Sequence, residues 1–114
     1  MYEYAAKIER WIDGDTLLVM VDLGFSCFRE ERIRLARINA WELKSESAYQ
    51  RRWAKSVTFQ AKKLFPNGSE IIIQTKKNPL KDMYARYIAE VVCNGANVSD
   101  ALLKLKGVVV FPLK

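Results

Sequence analysis

The 114-residue sequence contains no histidine. That excludes Ser-His-Asp triads, His-based proton transfer and His-ligated zinc, and leaves any acid–base work to carboxylates, lysine, tyrosine or water. Cysteine is nearly as scarce, with Cys27 and Cys93 alone, both in strand-like surroundings. Two such thiols read as buried, reduced apolar fillers rather than as a disulfide or a metal site. No apolar run approaches the roughly 20 residues that span a bilayer, so no membrane partner is expected. Met1-Tyr2-Glu3-Tyr4 has neither a basic n-region nor an apolar h-region. The expected compartment is therefore the cytoplasm, unless a leader has been removed.

What is present points to an anionic partner. Nineteen Lys and Arg against thirteen Asp and Glu give a formal net charge of +6, an electrostatic footprint suited to nucleic acid. Half the residues are apolar, which argues against disorder. The length suits one domain over residues 1–114, expected to be monomeric.

Residues 2–12 alternate, with Tyr4, Ala6, Ile8 and Ile12 on one side and Glu3, Lys7 and Glu9 on the other, as in a half-buried strand. Asp13-Gly14 signals a tight turn. Thr16 to Val21 is apolar on both faces, as in a central strand. Asp22-Leu23-Gly24 turns into a third strand over 25–38, long enough to need a bulge, which the charged run Arg29–Arg32 would carry. Ser47 and Gln50 form a capping box opening a helix, with Tyr49, Trp53, Val57, Ala61 and Leu64 as its stripe and Pro66-Asn67-Gly68 as its stop. Strands over 70–75 and 87–92 flank a basic loop at 76–82. A last helix over 98–106, capped by Asn97 or Ser99, ends at Gly107. The tail 108–111 is expected to pack back on the core. The order β-β-β-α-β-β-α predicts a mainly β fold with α, a five-stranded Greek-key barrel of the OB type with two to three helices.

Three segments carry chemistry. Phosphodiester cleavage without histidine needs oxygen ligands for a hard cation, arginine forks for phosphoryl charge and a base for water. The sequence offers Asp15, Asn39 and Glu42 as oxygens and Arg34 and Arg86 as forks. In a continuous strand Arg34 and Asn39 would face opposite ways, and a bend near Ala40 is expected to return Glu42 towards Arg34.

The segments are Asp13-Gly14-Asp15-Thr16, Arg34-Leu35-Ala36-Arg37-Ile38-Asn39-Ala40-Trp41-Glu42 and Asp82-Met83-Tyr84-Ala85-Arg86. In order and spacing they resemble the staphylococcal nuclease (thermonuclease-like) family, as does the Asn97-Val98-Ser99-Asp100-Ala101-Leu102-Leu103 helix with Gly107. The resemblance covers nearly the whole chain and implies an OB-barrel, calcium-dependent nuclease. Such an enzyme cuts DNA and RNA with low sequence preference through an in-line water, leaving 3′-phosphate ends. By position it implies Asp15 and Asn39 as side-chain Ca2+ ligands and Ala40 as a backbone-carbonyl ligand. Glu42 would handle the attacking water, Arg34 and Arg86 would clamp the phosphate, and Tyr84 would lie against the nucleotide.

Three departures from the family pattern have consequences. Asn39 stands where the family has Asp, predicting weaker calcium binding. Trp41 replaces a proline, so the bend before Glu42 loses its fixed φ and gains a large apolar anchor. Ala85 replaces a glycine and is strained if that position needs positive φ.

Plainer readings stand beside these. Asp15 can be a turn acid, Arg34 a cross-strand-paired residue, and Glu42 the partner of Arg34 or Arg86 in an ion pair. Arg37 reads as a surface charge. Lys76, Lys77 and Lys81 divide between phosphate steering, as substrate-binding residues, and a solvated loop. Arg51, Arg52, Lys55 and Lys62 read as the solvent face of the helix, and Tyr49, Trp53 and Phe59 as packing residues. The alternative function is a catalytically weakened OB-fold module that binds nucleic acid or protein.

Overall fold

Strand β1 runs Tyr2–Asp13 and turns through Gly14 into β2, Thr16–Asp22. Strand β3 is Phe28–Leu35, β4 Ile38–Ala40, β5 Glu70–Thr75 and β6 Tyr87–Cys93. Helix α1 spans Ala48–Leu64. A two-residue β7, Ala96–Asn97, leads into α2, Val98–Leu102, and β8, Val108–Val110. These bounds come from a computed structural model that describes residues 2–75, 81 and 86–111.

The sheet order is β3-β2-β1-β5-β6, antiparallel throughout, and β3 then pairs parallel with β6 at Ile33↔Tyr87, Arg34↔Ile88 and Leu35↔Ala89. That pairing closes a five-stranded mixed barrel, with two helices beside it, and the expected mainly β, OB-like architecture holds. Its interior is filled by alternate residues of each strand, among them Ile8, Leu17, Val19, Leu35, Ile73 and Val91, all at most 1% exposed. Closure also brings β2, β3 and β6 together, and Thr16, Arg34 and Arg86 come with them.

Several local expectations are corrected. The register of β2 on β3 is unbroken from Thr16↔Arg34 to Asp22↔Phe28, so Arg29–Arg32 carries no bulge. Regular pairing there lets Arg29 bond Glu31 along the strand at 2.7 Å. The long third segment breaks at its ends instead. Residues 24–27 form a loop with Phe25 and Ser26 at positive φ, and a turn at Ala36–Arg37 separates β3 from β4. The register shifts fall in β1, between Ile8 and Arg10 and between Trp11 and Asp13. The first changes the phase of the alternation, so Trp11 rather than Ile12 enters the core, its indole N–H donating to the Phe65 carbonyl at 2.9 Å.

Helix α1 buries Ala54, Val57 and Ala61, with Phe65 at its C-cap, whereas Tyr49, Phe59 and Leu64 are exposed. Small residues line the contact because the β1–β2 turn presses on the helix. A Cβ on Gly14 would meet Val57 Cγ1 at 2.5 Å. Ser47 caps as expected by accepting from the Gln50 amide, but the Gln50 side chain accepts from Ser45 Oγ, so the reciprocal half of the capping box is not made. Helix α2 is shorter than expected, and Asn97 is its cap. Cys93 is buried, but Cys27 is exposed on the β2–β3 loop. The tail forms β8 and pairs with β4, with Val108 buried and Val109, Val110 and Phe111 exposed.

No helix among the described residues is long and apolar enough to cross a membrane.

Candidate active site

The site starts from a turn packed too closely against its neighbours to take a Cβ. Gly14 lets the β1–β2 hairpin lie against Val57 and Ala40, and this sets Asp15 under β4. Asp15 is 4% exposed, a burial a carboxylate tolerates only with partners. Its Oδ1 accepts from Thr16 Oγ1 at 2.9 Å, its Oδ2 accepts from the Ala40 amide at 3.2 Å, and the Arg34 guanidinium stands 3.7 Å away.

The turn at Ala36–Arg37 leads from β3 into β4, which pairs with β8, and brings the Ile38 carbonyl and the Asn39 side chain within reach of Arg34. The turn that joins Arg34 to Asn39 is thus at Ala36–Arg37, a separate feature from the bend expected near Ala40 to return Glu42 towards Arg34. Arg34 Nη1 donates to the carbonyls of Leu35 and Ile38, at 3.1 and 2.9 Å, and Nη2 donates to Asn39 Oδ1 at 3.1 Å. Phe111 lies over the guanidinium, 5.1 Å from carbon to ring centroid, in cation–π range. With 9% of its surface exposed, Arg34 is tied into the fold as well as facing the site.

The turn itself is built by groups far apart in sequence. Arg37 has φ 70, a left-handed conformation that costs a non-glycine residue about 1–2 kcal/mol. Its side chain bonds Glu90 through Nε and Nη2, at 2.6 and 3.0 Å, and Asp100 through Nη1 at 2.8 Å. Its carbonyl accepts from the Phe111 amide, while Ser99 Oγ donates to the Ala36 carbonyl. Arg37 is therefore the brace of the turn, not a loose surface charge. The guanidinium holds the Glu90 carboxyl below its ordinary range.

The third segment enters through Arg86, half-buried, whose Nη1 donates to Thr16 Oγ1 at 3.0 Å. A chain of hydrogen bonds thus runs from Arg86 through the Thr16 hydroxyl to Asp15. Glu42 is exposed beyond β4, and no ion pair joins it to Arg34. Its charge is felt at Asp13, whose carboxyl is pushed above its ordinary value by burial. The Leu43 amide opposes that shift, Asp15 and Glu42 add to it as like charges, and Arg86 subtracts.

Asp15, Arg34, Asn39, Ala40 and Arg86 therefore converge, with Glu42 at the rim. Lys81 does not join them, since its Nζ faces Glu31 Oε1 at 3.9 Å and the Tyr87 ring at 4.9 Å. Tyr84, Lys76 and Lys77 lie outside the described residues. Thr16 and Phe111 are the members that sequence reasoning missed. A threonine after an Asp-Gly-Asp turn carries a weak signal as a relay, whereas nothing local in the tail marks Phe111.

Asp15, Asn39 and the Ala40 backbone carry oxygens, the donor type a hard cation takes. The groups that meet the Asp15 carboxylate, however, are the Thr16 hydroxyl, the Ala40 amide and the Arg34 guanidinium. Of the oxygen carriers only Asp15 is charged, and no group of three or more His, Cys, Asp or Glu residues able to hold a metal is found among the described residues. Asp15 Oδ2 and Asn39 Oδ1 already accept hydrogen bonds, from the Ala40 amide and from Arg34.

No curated protein matches the sequence. Residues 32–110 match the family described as staphylococcal nuclease homologue, a span that takes in two of the three site segments and leaves the Asp15 turn to be joined by geometry. The chain belongs to the staphylococcal nuclease homologue family, which makes it a nuclease-like or nucleic-acid-binding barrel.

Proposed function

We propose that the chain is a metal-dependent nuclease that hydrolyses phosphodiester bonds of DNA and RNA with low sequence preference, leaving 3′-phosphate ends. The observation that carries this reading is the convergence of Asp15, Arg34, Asn39 and Arg86 from three separate segments. Two guanidiniums close to one carboxylate supply the positive charge that a phosphoryl group needs. Asp15, the Asn39 amide oxygen and the Ala40 carbonyl would hold a cation, Ca2+ by family resemblance. When bound it supplies positive charge to a phosphoryl oxygen.

The chain's own residues do the rest. Arg86 and the outward edge of Arg34 bind and orient the phosphate and meet the charge that grows on its equatorial oxygens. Glu42, exposed at the rim, accepts a proton as water attacks phosphorus in line with the 5′ oxygen. The new P–O bond forms as P–O5′ breaks, and the departing oxygen takes a proton from solvent. Thr16 keeps Arg86 and Asp15 in register.

A nucleic-acid-binding module with weakened catalysis is the second reading, and one observation favours it. Asn39 Oδ1 is already engaged by Arg34, leaving a single carboxylate for the cation. The separating experiment is digestion of single-stranded DNA and RNA with calcium, magnesium or EDTA. Arg86→Ala is the informative variant, because Arg34→Ala would also strip the Leu35 and Ile38 carbonyls of partners. Metal-dependent cleavage that falls about a hundredfold or more in Arg86→Ala is the expected result. Binding without cleavage in the wild type leaves the module reading standing alone.

A further inference from the structure

Glu42 sits in a segment none of whose residues is fully buried. From Trp41 to Ser47 every residue is exposed or half-buried, and Trp41 itself is 42% exposed, so apolar packing holds the bend only in part. Two sets of polar bonds meet around Glu42. On one side, Asp13 Oδ1 accepts from the amide of Leu43, the next residue, at 2.9 Å. On the other, the Glu42 carbonyl accepts from the Ser45 amide at 3.1 Å, and Ser45 is held from α1. Arg51 Nη1 donates to the carbonyls of Ser45 and Glu46, both at 2.7 Å, and Ser45 Oγ donates to Gln50 Oε1.

The position of Arg51 needs a reason. It is the fourth residue of α1, whose first turn holds no acid. A cation near a helix N-terminus opposes the helix dipole. Two short charge-assisted bonds to loop carbonyls supply the compensation.

We propose that Asp13 and Arg51 are positioning residues that together hold the Glu42 backbone at the rim of the site. The inference rests on the nuclease reading of Glu42, and its test separates the two. Asp13→Ala and Arg51→Ala each lower kcat by about tenfold to a hundredfold with KM unchanged. Asp13→Asn, which keeps an oxygen for the Leu43 amide, restores most of the rate. In a Glu42→Gln background the same alanine substitutions cost less than about twofold, because the group they place is gone. Equal losses in both backgrounds, or no loss in either, overturn the proposal.

Amide exchange supplies a readout independent of activity. Asp13→Ala speeds exchange at Leu43 by about tenfold or more and leaves the β2 amides unchanged. If the wild type cleaves nothing, the nuclease reading fails on its own, and exchange alone then decides the positioning. Unchanged protection of Leu43 overturns it.

Discussion

Asn39 removes one anionic group from the site and gives Arg34 a neutral partner at 3.1 Å. An aspartate there would add the charge a hard cation seeks, so Asn39→Asp is expected to tighten calcium by about tenfold or more, read by calorimetry without substrate. Unchanged affinity would remove position 39 from the ligand set. The two thiols also diverge at this scale. Cys93 is buried, its thiol pushed up by that burial and its Sγ 3.5 Å from the Glu70 carbonyl, while Cys27 is exposed on a loop. Alkylation of the native protein is expected to label Cys27 alone, with Cys93 reacting only on unfolding, a difference that mass spectrometry resolves. Sequence reasoning assigned both thiols to the interior because each sits among apolar neighbours. Nothing in that pattern shows that the strand starts at Phe28 rather than Phe25.

Among the elements, the turn between β3 and β4 decides whether a site exists. Residue types along the chain make Arg34 and Asn39 legible as a pair of interest, but Arg37 reads as an ordinary surface charge. Its left-handed backbone and its bonds to Glu90 and Asp100 depend on residues more than 50 positions away. The fold class was easier to read, because alternation and turn residues are local. Core phase was less so, since the register shift after Ile8 exchanges Ile12 for Trp11. The hairpin that carries Asp15 depends on Gly14 for a packing reason, the 2.5 Å approach of a Cβ to Val57. Gly14→Ala is expected to lower unfolding free energy by about 1–3 kcal/mol in urea titrations. Because Asp15 is displaced with the turn, cation affinity is expected to fall in parallel. A variant with wild-type stability and affinity would show that the helix yields without moving the turn.

At the scale of the whole molecule, barrel closure and charge act together. The parallel pairing of β3 with β6 is what brings Arg86 to Thr16, and the excess of 19 basic over 13 acidic residues suits a polyanion. The ties that brace the site also make stability depend on pH. The folded protein holds Glu90 below its ordinary range through Arg37. That contribution is complete above the unfolded glutamate pKa and is lost as pH falls through the lower folded value. Glu90→Gln is therefore expected to lower Tm at neutral pH and to narrow its gap from wild type in acid. A gap independent of pH would contradict the assignment.

Cleavage itself is tested most directly by the single-turnover rate of a 5′-labelled single-stranded oligonucleotide with calcium and saturating protein, comparing wild type with Glu42→Gln. The expected result is 3′-phosphate products from the wild type and a rate at least about a hundredfold lower in Glu42→Gln, with binding unchanged. Equal rates in the two proteins, or binding by the wild type with no cleavage, would contradict it.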